Sequence, residues 1–422
     1  MGGVAAGRDP KKRPGVQDDP SCEEALLRSF GGGGESGGLG CEVIGKLGEG
    51  SEGVVYVVQE RGEGGKRFAV KAFKARNKQG VSTAAVREVK LLRELKHDNV
   101  VRLRSVHVAK PERRVFLSYE CCSTDLQQLI RRHHANRDPI PEYTVKSALW
   151  QLLRALDYLH SSWVVHRDVK PENVLVDRET GACKIADFGC AKVFRNDPRA
   201  LRQSTGAVVT LWYRAPELLL GCSDYSPAID VWALGCVFAE MLRLRPLFHS
   251  EQRKGNRYAR VLSVCVCVCV RISKSKNFWQ NRADPPPPLS LRYSFFFILC
   301  RFQAAQMERI ISILGRPSGA SHAWRGLHHW RHNTDGVADY KPPKGKSRRL
   351  RDMVSLKEDS PALDLLRRML EYDPNKRVTA AKALEHEYFR VEPFPGSSCF
   401  EEEAAGGGKR RRAGPNTPSS FC

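Results

Sequence analysis

Within nine residues, HRDVKPENV brings together Asp168, Lys170 and Asn173. A carboxylate, an ammonium and an amide oxygen in one tight loop suit the transfer of a phosphoryl group. The carboxylate orients a hydroxyl and accepts its proton. The cation stands near the moving phosphate, and the amide oxygen ligates a divalent metal. Downstream, DFG begins at Asp187 and offers a second metal ligand, and APE follows at residues 215–217. Any one of these strings has chance matches, but their order and spacing together do not arise by accident.

Upstream residues fit the same chemistry. GEGSEGVV places Gly48, Gly50 and Gly53 ahead of Val55, a pattern whose backbone can approach phosphates closely. Two strands surround it, and no helix follows directly, which excludes the dinucleotide-binding reading of such glycines. FAVK sets Lys71 at the end of a strand, where an ammonium can hold two phosphates. Glu88, in STAAVREVKLL, can pair with that lysine. Either residue alone reads as an ordinary surface charge.

These residues need particular elements to position them. From Cys41 to Tyr119 apolar and polar residues alternate between glycine turns, as in EVIGKLGEGSEGVVYVVQE, KRFAVKAF and RVFLSYE, which predicts antiparallel strands. One helix interrupts them, AAVREVKLLRELK, with Val86, Val89, Leu91, Leu92 and Leu95 expected on one side. Beyond Tyr119 the texture is helical, in YTVKSALWQLLRALDYLHSS, AIDVWALGCVFAEMLRL, MERIISILG and ALDLLRRMLEY. A strand-rich part followed by a helix-rich part predicts a two-lobed α+β enzyme with its site in the cleft between lobes.

Composition sets the outer bounds. The chain has 422 residues, 41% hydrophobic and 27% charged, enough for a packed core. Its formal charge of +22 favours anionic partners, whether nucleotide, phosphorylated or acidic protein, or nucleic acid. Fourteen cysteines are too scattered over this length for a disulfide scaffold, and no Cys-x-x-Cys pair repeats at zinc spacing. The opening residues show no secretory signal. Residues 1–40, rich in Gly and charge, and residues 390–422, with the basic cluster Lys409–Arg412, are expected to be flexible tails.

The motifs together resemble the eukaryotic protein kinases over residues 41–389, divided at 120 into an N-terminal sheet lobe and a helical C-terminal lobe (121–389). Within them, STAAVRE and VVTLWYRAPELLLG look like a cyclin-dependent kinase. LLRELKHDNVVRL, KSALWQLLRALDYLHSSWVVHRDVKPENVLV and LEHEYFRVEPFPG are similar to the Mediator-associated branch that partners cyclin C, especially its plant form. That resemblance implies ATP and Mg2+ as cofactors. It implies Leu47, Gly48, Gly50, Gly53, Val55, Ala69, Lys71, Glu120, Cys122 and Asp125 around the nucleotide, and Asn173 and Asp187 on the metal. Val209, Thr210 and Arg214 would shape a pocket for proline after the target Ser or Thr. A cyclin would dock on the helix around residues 82–88. Mediator kinase-module subunits, and substrates such as the RNA polymerase II tail, would be partners in the nucleus, with no membrane and no direct specific nucleic-acid binding. A cell-cycle branch, or a mainly scaffolding subunit, are the alternatives. A mitogen-activated kinase is disfavoured, since RALRQSTGAVVT lacks a Thr-x-Tyr pair.

Three features depart from the family pattern. Ser51-Glu52 stands where many relatives carry an inhibitory Thr-Tyr phosphorylation site. Thr205 lies five residues before Thr210 and, phosphorylated, could dock on Arg87, Arg167 and Lys192. The third is the stretch 261–301, VLSVCVCVCVRISKSKNFWQNRADPPPPLSLRYSFFFILCR. Its apolar runs are too short to span a membrane, which takes roughly 20 residues. Cys265, Cys267 and Cys269 lack a fourth metal ligand. Val-Cys alternation is what a GT dinucleotide repeat encodes, and FFFILCR can be read from a pyrimidine tract ending TGCAG. We read the stretch as a retained intron or gene-model error, with a genuine insert as the alternative; without it, HSEQRKGNRYAR runs as a loop into one amphipathic helix whose apolar positions are Phe302, Met307, Ile310, Ile311 and Ile313.

Overall fold

The computed structural model describes residues 20–30, 40–50, 52–62, 64–73, 82–109, 114–194, 211–220, 222, 225–249, 303, 305–315 and 350–400. Among the expectations above, Ser51, Thr205, Val209, Thr210, the stretch 261–301 and the cluster 409–412 lie outside these residues. The chain forms two units, residues 1–86 with 103–121, and residues 87–102 with 122–422.

The first unit is built on a five-stranded antiparallel sheet. Its strands are β1 (Cys41–Glu49), β2 (Gly53–Glu60), β3 (Arg67–Phe73), β4 (Leu103–Ala109) and β5 (Arg114–Glu120), in the order β1-β2-β3-β5-β4. Alternation buries one face, including Tyr56, Val58, Phe68, Val70, Ala72 and Phe116. Against that face lies α1 (Pro20–Phe30), which contributes Cys22, Ala25, Leu26 and Phe30. The expected flexible tail is therefore corrected over residues 20–30. Cys22, Ala25 and Leu26 recur at helical spacing and cover apolar sheet surface that water would otherwise meet. The Phe30 ring lies tilted against His107, centroids 4.0 Å apart, and burial lowers the pKa of that imidazole.

The helix α2 (Thr83–Glu94) begins in the first unit and continues into the second. Ala84, Ala85, Glu88, Leu91, Leu92 and Leu95 are buried, but Val86, expected on the apolar side, is 57% exposed. The buried stripe runs through the two alanines, and Val86 falls off it. The expected boundary at residue 120 shifts too, because residues 87–102 belong with the helical unit. Val101 N donates to Ile185 O at 2.9 Å, and Asn99 Nδ2 reaches Cys183 O and Gln151 Oε1, each at 2.9 Å.

The second unit centres on two helices buried along most of their length, α4 (Glu142–Ser161) and α6 (Ala228–Arg243). Around them stand α3 (Leu126–Asn136), α5 (Pro216–Leu219), α7 (305–314), α8 (Leu350–Val354), α9 (Pro361–Met369) and α10 (Ala380–Leu384). The predicted helix after the odd stretch is present, with Met307, Ile310 and Ile313 buried. Short strands β6 (Thr124–Asp125), β8 (Val174–Val176) and β9 (Cys183–Ile185) form one sheet, and β7 (Val164–Val165) pairs with β10 (Lys192–Val193). The expected tail from residue 390 is corrected as far as Phe400. Lys146, fully buried, donates to Val391 O at 2.9 Å, and Gly396 N donates to Ser147 Oγ at 3.0 Å. Cys399 is buried with its amide on Gly181 O at 2.8 Å. These bonds anchor backbone that composition alone would leave loose.

Candidate active site

The catalytic-type loop lies between β7 and β8. Lys170 Nζ donates to Asp168 Oδ2 at 2.8 Å. Asn173 Nδ2 donates to the same Oδ2 at 3.0 Å and to Asp168 O at 2.8 Å. One carboxylate oxygen is thus fixed by two donors. The other, Oδ1, is buried and has no hydrogen-bond partner among the described residues. A buried acceptor without a donor is unfavourable unless function uses it. A carboxylate oxygen in this state is chemically able to accept a proton. Burial disfavours the charged form of Lys170, but Asp168, with Glu172 and Asp187 behind it, raises its pKa overall. The ammonium stays charged across the physiological range.

Asp230, at the start of α6, holds the loop in shape. Its Oδ2 accepts His166 N at 2.8 Å and its Oδ1 accepts Arg167 N at 2.8 Å. Arg167 needs that support, since its φ of 69° is left-handed. His160 Nε2 sits 3.0 Å from Oδ2. Burial alone would raise the Asp230 pKa, but the bond from His160 and the loop amides hold it below the usual carboxylate range. Asp187 also has a left-handed φ, 66°, and Phe188 after it packs edge-on against His166 at 4.9 Å. Asn173 and Asp187 would offer oxygen ligands only, a donor set that fits a hard divalent cation.

A cationic cluster lies in the same unit. Arg87 Nη1 donates to Gly189 O, and Arg167 Nε donates to Cys190 O at 2.6 Å. Burial lowers the Lys192 pKa, and the charges of Arg167 and Arg87 lower it further, so the three residues expected to bind phospho-Thr205 share one positive field. Arg214 is half-buried next to the buried Tyr213. Burial lowers its pKa against the opposing pull of Asp168. Glu217 of APE pairs with Arg377 through two bonds, 2.8 and 3.0 Å. This pair is buried inside the helical unit.

The first unit carries the glycine-rich turn and the lysine. Gly50 N donates to Gly53 O at 2.9 Å, tightening the turn between β1 and β2. A Cβ on Gly53 would stand 2.2 Å from Ala72 O, so only glycine fits there. Val55 pairs in register with Lys71, and Gly48 with Val55 across β1. Ala69 faces Tyr119 and Phe68 faces Glu120, so Ala69 and Glu120 lie on neighbouring central strands. Leu47 is 45% exposed on β1. Lys71 Nζ lies 3.3 Å from Glu52 Oε2, a pairing the sequence did not suggest. Glu88 is buried in the second unit. Cys122 is half-buried there, and Asp125 caps α3, accepting Gln128 N at 2.8 Å.

Sequence reasoning missed Asp230's grip on the loop and the Glu52–Lys71 pair. Asp230 is one acid in the apolar run AIDVWALG, a signal that could have marked it as buried with a purpose.

The family model of the protein kinase domain matches residues 41–389. The chain is 40% identical to cyclin-dependent kinase E-1 of Arabidopsis thaliana, over 85% of this chain and 68% of that protein. It is 35% identical to the probable cyclin-dependent kinase 8 of Dictyostelium discoideum, over 85% and 82%. It is 36% identical to the serine/threonine-protein kinase SSN3 of Yarrowia lipolytica, over 86% and 80%. A kinase of this family uses ATP and a divalent metal and acts on protein substrates with a cyclin partner. With the loop of Asp168, Lys170 and Asn173 intact and the family model matched over residues 41–389, the chain belongs to the protein kinases, as a cyclin-dependent serine/threonine kinase.

Proposed function

We propose that the chain transfers the γ-phosphate of ATP, with Mg2+, to Ser or Thr followed by Pro, within the Mediator kinase module in the nucleus. The observation that carries this reading is Asp168, one oxygen clamped by Lys170 and Asn173 and the other an unpartnered buried acceptor. In the reaction, Asp168 Oδ1 aligns the substrate hydroxyl and accepts its proton. Lys170 balances charge on the transferred group, and Asn173 and Asp187 hold Mg2+. Lys71 holds the nucleotide phosphates, and the family resemblance gives Glu88 as its orienting partner. Leu47, Gly48, Gly50, Gly53, Val55, Ala69, Glu120, Cys122 and Asp125 form the rest of the nucleotide set. Val209, Thr210 and Arg214 select proline.

A C-type cyclin is the partner that suits α2, where an exposed Val86 offers apolar surface beside a buried stripe. Arg87, Arg167 and Lys192 would receive the phosphate of Thr205. The RNA polymerase II tail, a run of Ser-Pro sites, is the substrate class that fits. The test is a radiolabel assay of the chain with a C-type cyclin, using paired peptides ending Ser-Pro and Ser-Ala. Transfer to the proline peptide alone supports the reading. Equal transfer to both, or activity with only a cell-cycle cyclin, contradicts it.

A further inference from the structure

Lys71 is the ammonium expected to hold the phosphates of the nucleotide. Its Nζ lies 3.3 Å from a carboxylate on the turn that should also cradle those phosphates, Glu52 Oε2. Both side chains are mostly sheltered, 12% exposed for Lys71 and 25% for Glu52. The pairing follows from the strand register. Gly53 opposes Phe73 and Val55 opposes Lys71, so the last residue of the turn overhangs the end of the lysine side chain. A Cβ on Gly53 would meet Ala72 O at 2.2 Å, so the residue after Glu52 sits directly against the strand that carries Lys71. The ammonium also sits 4.9 Å from the Phe73 ring, which confines it further.

We infer that Glu52 is a built-in competitor for the nucleotide's phosphates, occupying Lys71 until a di- or triphosphate displaces it. This inference rests on the nucleotide role assigned to Lys71. A carboxylate and a phosphate oxygen are alternative anions for one ammonium, and an unpaired carboxylate next to the bound phosphates repels them. Both effects weaken binding of phosphate-bearing nucleotides and leave the nucleoside alone untouched. Partly exposed ion pairs are individually weak, so the effect is a tuning of affinity, about three- to tenfold, rather than a block.

The experiment compares the full chain, with its cyclin, against Glu52→Gln and Glu52→Asp. Calorimetry gives Kd for ADP and for adenosine, and steady-state kinetics gives KM for ATP. Glu52→Gln is expected to tighten ADP and lower the ATP KM about three- to tenfold, with adenosine unchanged. Glu52→Asp, which keeps the charge, is expected to stay near the unsubstituted protein. An unchanged or raised KM for ATP in Glu52→Gln overturns the inference, since the carboxylate would then be neutral or helpful to binding. Equal tightening of adenosine overturns it as well, because the gain would not come from phosphates. If the unsubstituted protein binds neither ADP nor adenosine, the nucleotide reading itself fails, which is a separate outcome.

Discussion

The side-chain amide of Gln306 donates to the carbonyl of Phe248 at 3.1 Å, with Gln306 fully buried. The described residues on the two sides of the odd stretch 261–301 are therefore neighbours in the helical unit. Removing residues 261–301 should leave that bond, and α7 below it, in place. Shortening the closed loop roughly threefold should stabilise the fold by about 1 kcal/mol through loop entropy. Denaturant titration of the full and deleted chains measures this. A deletion form that unfolds several kcal/mol more easily would mean that the stretch is part of the fold. RNA joined within a codon of Arg260 and Phe302 is the matching expectation for the transcript.

Helix α1 should behave as part of the first unit rather than as a tail. Leu26 is fully buried against Val58, Val70 and Phe116 in one core cluster. Leu26→Ala is expected to destabilise by about 2–4 kcal/mol. Thermal unfolding with no shift would return residues 20–30 to the flexible tail.

Asp230 should matter more for the shape of the catalytic loop than its distance from the chemistry suggests. Asp230→Asn keeps one acceptor but loses the charge that takes the amides of His166 and Arg167 and the His160 ring. A fall in kcat of roughly tenfold or more is expected, with the ATP KM nearly unchanged, because the loop donors to Asp168 lose registry. The stability contribution has a definite sign. The folded pKa lies below the ordinary value of 3.8, so the contribution is present above that pH and is lost as pH falls through the folded pKa.

Glu240 should give stability the opposite slope. It is fully buried on α6, accepts the Tyr213 hydroxyl at 2.7 Å, and leaves its Oε1 without a partner among the described residues. Burial raises its pKa from 4.5 to about 7. Between those values the folded state holds the proton and the unfolded state releases it, so stability falls as pH rises across that window. The loss is roughly 3 kcal/mol at most. Glu240→Gln should flatten that part of the curve. Identical pH dependence in both proteins would contradict the assignment.

Much of the site was legible because its motifs are short and local. Asp168, Lys170 and Asn173 lie on one loop, so their spacing in sequence is nearly their spacing in space. The central helices were legible from apolar runs long enough for several turns, as in α4 and α6. Strand β4 was harder, because Ser105 and His107 break its alternation; Ser105 Oγ instead bonds His107 Nε2 at 2.8 Å and Ser118 Oγ at 2.7 Å. The side on which Val86 falls depended on two alanines that carry little hydrophobic signal. Helix α1 and residues 390–400 were hidden because glycine- and charge-rich flanks dominate their composition. Their order comes from tertiary partners, the sheet in one case and Lys146, Ser147 and Gly181 in the other. The Glu52–Lys71 pair could not be read at all without the register of β2 on β3.

The most direct test of the account concerns Asp168. Asp168→Asn preserves the bonds from Lys170 and Asn173 at one oxygen but replaces the proton acceptor. With a Ser-Pro peptide and the cyclin partner, turnover is predicted to fall roughly 100- to 10,000-fold, with ATP affinity unchanged. Turnover equal to that of the unsubstituted protein would contradict the assignment of Asp168 and, with it, the mechanism built on that loop.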